Sequence, residues 1–127
     1  MKFDESDLAA MAAAKEVRIE THSPGGAAHR TIIWIVEHDG TVFVRSVNGP
    51  TARWYREALA DPNVTIHVKG RKAAARAVPA TDEASVGACS EGLRAKYRRS
   101  YSLESMLLPE TLPTTFRLEP VEAVEAA

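Results

Sequence analysis

The residues best suited to bind a charged ligand lie in one short stretch, residues 45–55. A strand pattern that includes Arg45 and Ser46 ends there, a glycine-containing loop follows, and a helical pattern begins at Thr51. A helix N-terminus binds phosphate because its free N–H groups and its dipole favour negative charge. Arg45 and Arg53 could add charge-assisted hydrogen bonds, and the hydroxyl groups of Ser46 and Thr51 could add neutral ones. The stretch indicates an anion site, although an ordinary strand–loop–helix connection with solvated arginines would show the same pattern.

Other kinds of chemistry have less support in the sequence. The single cysteine, Cys89, lies on the apolar stripe of a helical pattern, which predicts a buried and unreactive thiol. No serine lies in a nucleophile-elbow pattern, and no glycine-rich phosphate loop is present. Tyr101, beside Arg98 and Arg99, is the remaining candidate for a substrate-side proton donor. No metal site is expected, because the histidines do not have the spacing of metal ligands: His22, His29, His38 and His67.

Short β-strands are predicted to position these groups. Alternating or continuous apolar residues predict six strands, at 16–21, 32–36, 42–47, 64–69, 72–78 and 115–119. Helices are predicted at about 5–14, at 51–60 and after a cap at Thr81. Asp39-Gly40 predicts a tight hairpin between the second and third strands. Six antiparallel strands favour a small closed barrel, because closure removes unpaired sheet edges.

Length and charge place the chain in a broad class. Its 127 residues suit a single domain, with the barrel at about 16–121 and a frayed tail at 122–127. Sixteen basic and seventeen acidic residues give a net charge of −1, which does not favour nucleic acid or an anionic membrane as a partner. There is neither a signal-peptide pattern nor an apolar run of about 20 residues. These observations predict a soluble cytoplasmic protein.

Five segments of the sequence occur in a characteristic order: Thr-Ile-Ile-Trp-Ile-Val (31–36), Asp-Gly-Thr-Val-Phe-Val-Arg-Ser (39–46), Gly49, Arg-Trp-Tyr (53–55) and Ala-Asp-Pro-Asn-Val-Thr-Ile (60–66). Together these segments resemble the split-barrel flavin and deazaflavin oxidoreductases. That superfamily includes pyridoxamine 5'-phosphate oxidase-like FMN proteins and deazaflavin-dependent nitroreductases. This chain departs from many relatives in two places: Val47 replaces a basic residue, and Glu-Ala-Leu-Ala-Asp-Pro (57–62) replaces the pattern Asn-Leu-x-Ala-Asn-Pro.

The resemblance implies a mostly β fold, a six-stranded antiparallel split β-barrel of the flavin-binding type. It further implies a homodimer with the cofactor in a groove at the interface, either FMN or a deazaflavin coenzyme. In such enzymes the ring system lies along the second strand, which corresponds to Thr31, Ile33 and Trp34. Lys69 and Arg71 would come from the partner subunit. The phosphate end would lie near Arg45, Ser46, Asn48, Gly49, Thr51 and Arg53.

Three functions are consistent with such a barrel. The first is an oxidoreductase that transfers hydride between the bound cofactor and a small molecule, whose identity the sequence does not give. The second is a non-catalytic binder of a flavin, haem or another flat ligand in the same groove. An oligonucleotide-binding barrel is disfavoured, because the net charge is balanced and few aromatic residues are available for base stacking. The choice between FMN and deazaflavin stays open.

Overall fold

The computed structural model describes residues 3–121, so the tail expected at 122–127 lies outside the described residues. Three α-helices are found in this range: α1 (Glu5–Ala13), α2 (Arg53–Ala60) and α3 (Glu83–Lys96). No helix in the same range is long and apolar enough to cross a membrane. The range contains seven strands: β1 (Val17–His22), β2 (Ala28–Ile33), β3 (Val36–His38), β4 (Thr41–Val44), β5 (Asn63–Val68), β6 (Arg71–Pro79) and β7 (Phe116–Pro120).

All strands belong to one antiparallel sheet with the order β2-β1-β5-β6-β7-β4-β3. β2 and β3 lie at opposite ends of this order, yet only Trp34 and Ile35 separate them along the chain. The sheet must therefore curl until its two ends meet at these residues. The prediction of a mostly β, antiparallel fold with peripheral helices is confirmed.

The predicted count of six strands is wrong, because the apolar run 32–36 does not form one strand. The backbone N–H of Ile35 donates to the Tyr97 hydroxyl at 3.3 Å, and its carbonyl accepts from Lys96 Nζ at 2.6 Å. Both partners lie at the end of α3 rather than on a neighbouring strand. The chain consequently stops pairing with β1 at Ile33 and begins to pair with β4 at Val36.

Two apolar clusters form the core. The barrel interior takes alternate residues of the central strands, such as Ile19 and Ile66, together with Trp54 of α2. The second cluster lies between the β3–β4 hairpin and α3 and includes Leu93. Cys89 belongs to this second cluster, and burial raises the pKa of its thiol to about 11. The prediction that Cys89 is buried is therefore confirmed, and its low reactivity stays a prediction with which the raised pKa agrees.

The starts of α2 and α3 differ from the sequence prediction by two residues and one residue, whereas α1 begins at Glu5 as predicted. The α1 cap is as expected, with the Asp4 carboxylate accepting from a backbone N–H in the first turn. In α3 the cap is Asp82 rather than Thr81, because the Asp82 carboxylate accepts from the N–H of Ser85. α2 begins at Arg53, because the preceding residues Gly49–Thr51 form a separate 3-10 turn.

Candidate functional site

Two adjoining cavities lie on either side of Trp34. The first, which we call the strand–loop cavity, has a volume of about 340 Å³ and lies between the end of β2 and the loop after β4. The second, the basic cavity, has a volume of about 690 Å³ and is lined by Lys15, Lys96 and Arg99. Glu16, Trp34 and Ser102 line both. Each volume is within the range of about 300–1,000 Å³ that is usual for small-molecule sites.

The strand–loop cavity brings together residues from both parts of the predicted cofactor site. One wall is formed by the end of β2 and by Trp34, which the sequence prediction assigned to the ring system of the cofactor. The opposite wall is formed by the loop after β4, which the prediction assigned to the phosphate end of the cofactor. Exposed Val47 completes the second wall. The predicted site residues that line this cavity are Thr31, Ile33, Trp34, Arg45 and Asn48.

Arg45 is the most unusual of these residues because its side chain is only 1% exposed. Its Nε donates to Thr115 Oγ1 at 2.9 Å, and its two terminal nitrogens donate to Ser90 Oγ and to the carbonyls of Met106 and Val86, each at 3.1 Å. All four acceptors are neutral, and no carboxylate in residues 3–121 forms an ion pair with the guanidinium. Burial lowers the pKa of Arg45 from its ordinary value. The cavity wall therefore contains a desolvated positive charge, four of whose five N–H groups are already bonded.

The loop after β4 is held in shape by its own hydroxyl groups. Ser46 Oγ donates to the carbonyl of Gly49 at 2.8 Å, and Thr51 Oγ1 donates to the carbonyl of Asn48 at 3.1 Å. Gly49 has a φ of +68°, a conformation that favours glycine. Ser46, Gly49 and Thr51 do not line the strand–loop cavity, and they act on it by fixing where Asn48 lies.

The remaining predicted residues lie elsewhere in the single chain. Exposed Arg53 has its Nε 4.0 Å from the carboxylate of Glu57, one turn further along α2. Arg71 donates from Nε to Asp7 at 2.8 Å and so ties β6 to α1. Lys69 lies in the turn between β5 and β6, beside a smaller cavity. The assignment of Lys69 and Arg71 to a partner subunit's groove stays a prediction.

The wall between the two cavities is aromatic. The rings of Trp34 and Tyr97 stack with their centroids 3.8 Å apart and their planes 4° from parallel. The Tyr97 hydroxyl donates to the carbonyl of Lys15 at 2.6 Å, and burial raises the pKa of Tyr97 to about 12. These contacts give Tyr97 a structural role in this wall. Tyr101, the predicted proton donor, lines the basic cavity but is 99% exposed.

Lys96 lines the basic cavity but is not among the site residues predicted from the sequence. Its Nζ donates to the carbonyls of Met11 and Ile35 at 3.0 and 2.6 Å and lies 5.4 Å from the Tyr97 ring centroid. Burial lowers the pKa of Lys96 to about 8. In the sequence it belongs to a basic cluster at a helix C-terminus, where cations are expected in any case. The sequence feature that could have indicated Lys96 is its position directly before Tyr97, at the border of the apolar stripe that contains Cys89.

Comparison with solved structures identifies the fold. HutZ from Vibrio cholerae, described as a haem storage protein, aligns with a TM-score of 0.65 at 17% identity, over 96% of this chain and 92% of its own. A NimC/NimA family protein from Clostridium acetobutylicum aligns with a TM-score of 0.64 at 11% identity, over 92% and 81%. A presumed pyridoxamine 5'-phosphate oxidase from Listeria innocua aligns with a TM-score of 0.59 at 15% identity, over 92% and 90%. These similarities show the split-barrel fold.

A search of curated proteins gives no significant match to the sequence. A family model, described as "Uncharacterized protein conserved in bacteria (DUF2255)", matches residues 7–118. This match covers both cavities and all of the helices and strands except the first two residues of α1 and the last two of β7. The chain therefore belongs to this bacterial family, and its fold is that of the split-barrel proteins to which pyridoxamine 5'-phosphate oxidase-like proteins belong.

Proposed function

We propose that the chain is a flavin- or deazaflavin-dependent oxidoreductase that binds its cofactor in the strand–loop cavity. The observation that carries this proposal is the Arg45 guanidinium, a buried cation in the cavity wall with no carboxylate ion-pair partner among residues 3–121. Removing a charge from water costs several kcal/mol unless an opposite charge compensates for it. A ligand that brings negative charge into this cavity would supply the compensation.

The opposite wall suits the flat part of such a ligand. Trp34 presents an aromatic surface that is held in place by its stack on Tyr97. Thr31 adds a hydroxyl group and Ile33 an apolar side chain. We assign the contact with a phosphate group to Asn48, which lines the cavity on the loop that Ser46 and Thr51 hold. A bound flavin or deazaflavin supplies the hydride chemistry, and these residues bind it, orient it and exclude water.

A second copy of the chain is the proposed cover of this cavity. Ile32 and Val47 line it and are 54% and 50% exposed, which is high for large apolar side chains. Among the strands in residues 3–121, β2 pairs only with β1, so its other edge could contact another chain. We propose a homodimer with the cofactor at its interface, acting on a small molecule in the cytoplasm, where a lone buried thiol such as Cys89 stays reduced.

The second candidate function is non-catalytic binding of a flavin, haem or another flat ligand. It is suggested by the similarity of fold to HutZ, a protein described as storing haem. All four histidines lie within residues 3–121, and none lines the strand–loop cavity or the basic cavity. A haem iron in either cavity would therefore lack an imidazole ligand from this chain. The cavity chemistry favours a flavin-type ring over haem.

The test is a fluorescence titration of ligand-stripped protein with FMN, with deazaflavin coenzyme and with haem. The variant Val47→Asp places a carboxylate at the cavity, and Leu59→Asp makes the same change at a similarly exposed leucine outside it. We expect one of the two flavin-type cofactors to bind with a Kd near ~1 μM, about −8 kcal/mol. Val47→Asp should weaken this binding at least tenfold, about 1.4 kcal/mol, and Leu59→Asp should not change it.

Two results would contradict the cofactor assignment. One is no binding of FMN or of deazaflavin coenzyme at about a hundred times the expected Kd. The other is an equal loss of affinity in the two aspartate variants. Consumption of the reduced cofactor with a panel of small-molecule acceptors then separates the oxidoreductase from a binder, because a binder takes up the cofactor without turnover.

A further inference from the structure

The basic cavity is not used by the proposed cofactor site, although Trp34 forms a wall of both. Three cations line it, Lys15, Lys96 and Arg99, against one carboxylate, Glu16. In the part of the chain that the structure describes, none of the three cations forms an ion pair. The cavity therefore has an excess of two positive charges (three minus one) and should attract a small anion.

Lys96 is the best-placed of these cations to contact a bound group. Its side chain is half-buried, and its ammonium group donates to the backbone carbonyls of Met11 and Ile35. An ammonium group has three N–H donors, so one is left for a ligand. The two carbonyls fix the position of the nitrogen without neutralising its charge. The lowered pKa of Lys96, about 8, reflects the cost of that uncompensated charge.

The other walls favour a flat molecule with a short polar tail. Trp34 and Tyr97 both line the basic cavity, and their stack gives it a rigid aromatic side. The hydroxyl groups of Ser100 and Ser102 add hydrogen-bonding capacity next to the cations. Ser102 also lines the strand–loop cavity, so a molecule that fills the basic cavity reaches the border of the other.

We propose that the basic cavity is an anion subsite that binds a small molecule carrying a carboxylate or phosphate group on a flat ring. Lys96, Lys15 and Arg99 bind the anionic oxygens, and the ring lies near Trp34. The further step, that this molecule is the substrate of the cofactor bound beyond Trp34, rests on the proposed function. The binding itself needs no cofactor, and it is tested without one.

The experiment is a 15N–1H correlation NMR titration of the cofactor-free protein with benzoate, phenyl phosphate and benzamide. Benzoate and phenyl phosphate distinguish the two anionic groups, and benzamide is the neutral isostere of benzoate. At least one of the two anions should shift the amide signals of Lys96, Tyr97, Ser100 and Ser102 in a saturable way. Benzamide should bind at least tenfold more weakly than the anion that binds.

The matched variants are two double substitutions that remove the same charge. The variant Lys15→Gln/Arg99→Gln changes two exposed side chains of the cavity, and Lys72→Gln/Arg76→Gln changes two exposed side chains of β6. The cavity variant should lose at least tenfold in anion affinity, and the β6 variant less than twofold. Lys96→Gln should lose as much as the cavity variant. If it does not fold, the exposed double variant still decides the question.

Three results would overturn the inference: no saturable shift with either anion, binding of benzamide as tight as that of the anion that binds, or equal losses in the two double variants. These results are independent of the proposed function. If benzoate or phenyl phosphate binds but FMN and deazaflavin coenzyme do not, the anion subsite stands and the cofactor assignment fails. If a cofactor binds but both anions fail, the cofactor assignment stands and the subsite is wrong.

Discussion

Arg45→Met is the substitution that most directly tests the account of the strand–loop cavity. Methionine is long and flexible enough to fill much of the arginine volume, but it cannot donate a hydrogen bond. The change removes all four hydrogen bonds that join the loop after β4 to Ser90, Met106, Val86 and Thr115. We expect it to lower both the free energy of unfolding and the affinity for an anionic cofactor.

The size of the stability loss follows from two opposing effects. Four hydrogen bonds from a charged group are worth about 1.5–3 kcal/mol each, or roughly 6–12 kcal/mol together. Against this, burying the guanidinium costs several kcal/mol that methionine does not incur. Two acceptor groups also keep other partners, since the Met106 carbonyl accepts from Thr111 Oγ1 at 3.0 Å and Thr115 Oγ1 donates to Leu112 at 2.8 Å. The expected net loss is about 2–4 kcal/mol.

Urea unfolding followed by tryptophan fluorescence measures this loss, and thermal unfolding should show a fall in Tm of roughly 6–20 °C. Arg45→Lys keeps the charge but not the planar fork that reaches four acceptors, so it should lose about half as much stability while retaining more affinity for the cofactor. Arg76→Met is the control, because Arg76 is exposed, and it should change stability by less than about 0.5 kcal/mol. A loss below about 1 kcal/mol in Arg45→Met would refute the view that the buried guanidinium organises the loop.

Three further outcomes are expected. Tyr97→Phe keeps the ring stack on Trp34 but removes the hydroxyl, so it should cost about 1–2 kcal/mol in urea unfolding and speed hydrogen exchange at the Ile35 amide. The hydrogen bond from His67 lowers the pKa of Glu20 below its ordinary 4.5, so this stabilisation is present above pH 4.5 and is lost as pH falls further. The difference in unfolding free energy between the wild type and Glu20→Gln should therefore shrink below that pH. In 13Cε-lysine NMR one resonance should titrate near pH 8, and Lys96→Gln should remove it.

Local patterns in the sequence were sufficient for most of the sheet. Asp39 and Gly40 predicted a tight hairpin, and both have positive φ, 53° and 84°, as such a turn requires. The alternation in β1 and β5 predicted which side chains face the core, and Ile19 and Ile66 are fully buried there. These features depend on neighbouring residues in the chain, so a single sequence contains the information for them.

Features that depend on long-range contacts could not be predicted in the same way. Residues 32–36 fit a single strand by local pattern, and the break comes from α3 side chains more than 60 residues away. Arg45 was expected to contact a ligand phosphate directly. Its four protein acceptors lie 41 to 70 residues further along the chain, and no local spacing indicates them. The roles assigned to the predicted site residues stay predictions.

The interrupted strand at Trp34 and Ile35 links the fold to the candidate site. Because the backbone of Ile35 bonds to Lys96 and Tyr97, the strand leaves one ladder and enters another, and this transfer brings the two ends of the sheet together. The same contacts hold Tyr97 against Trp34 and Lys96 at the wall of the basic cavity. A substitution that loosens this junction should therefore disturb barrel closure and both cavities together, whereas Val47→Asp should affect the strand–loop cavity alone.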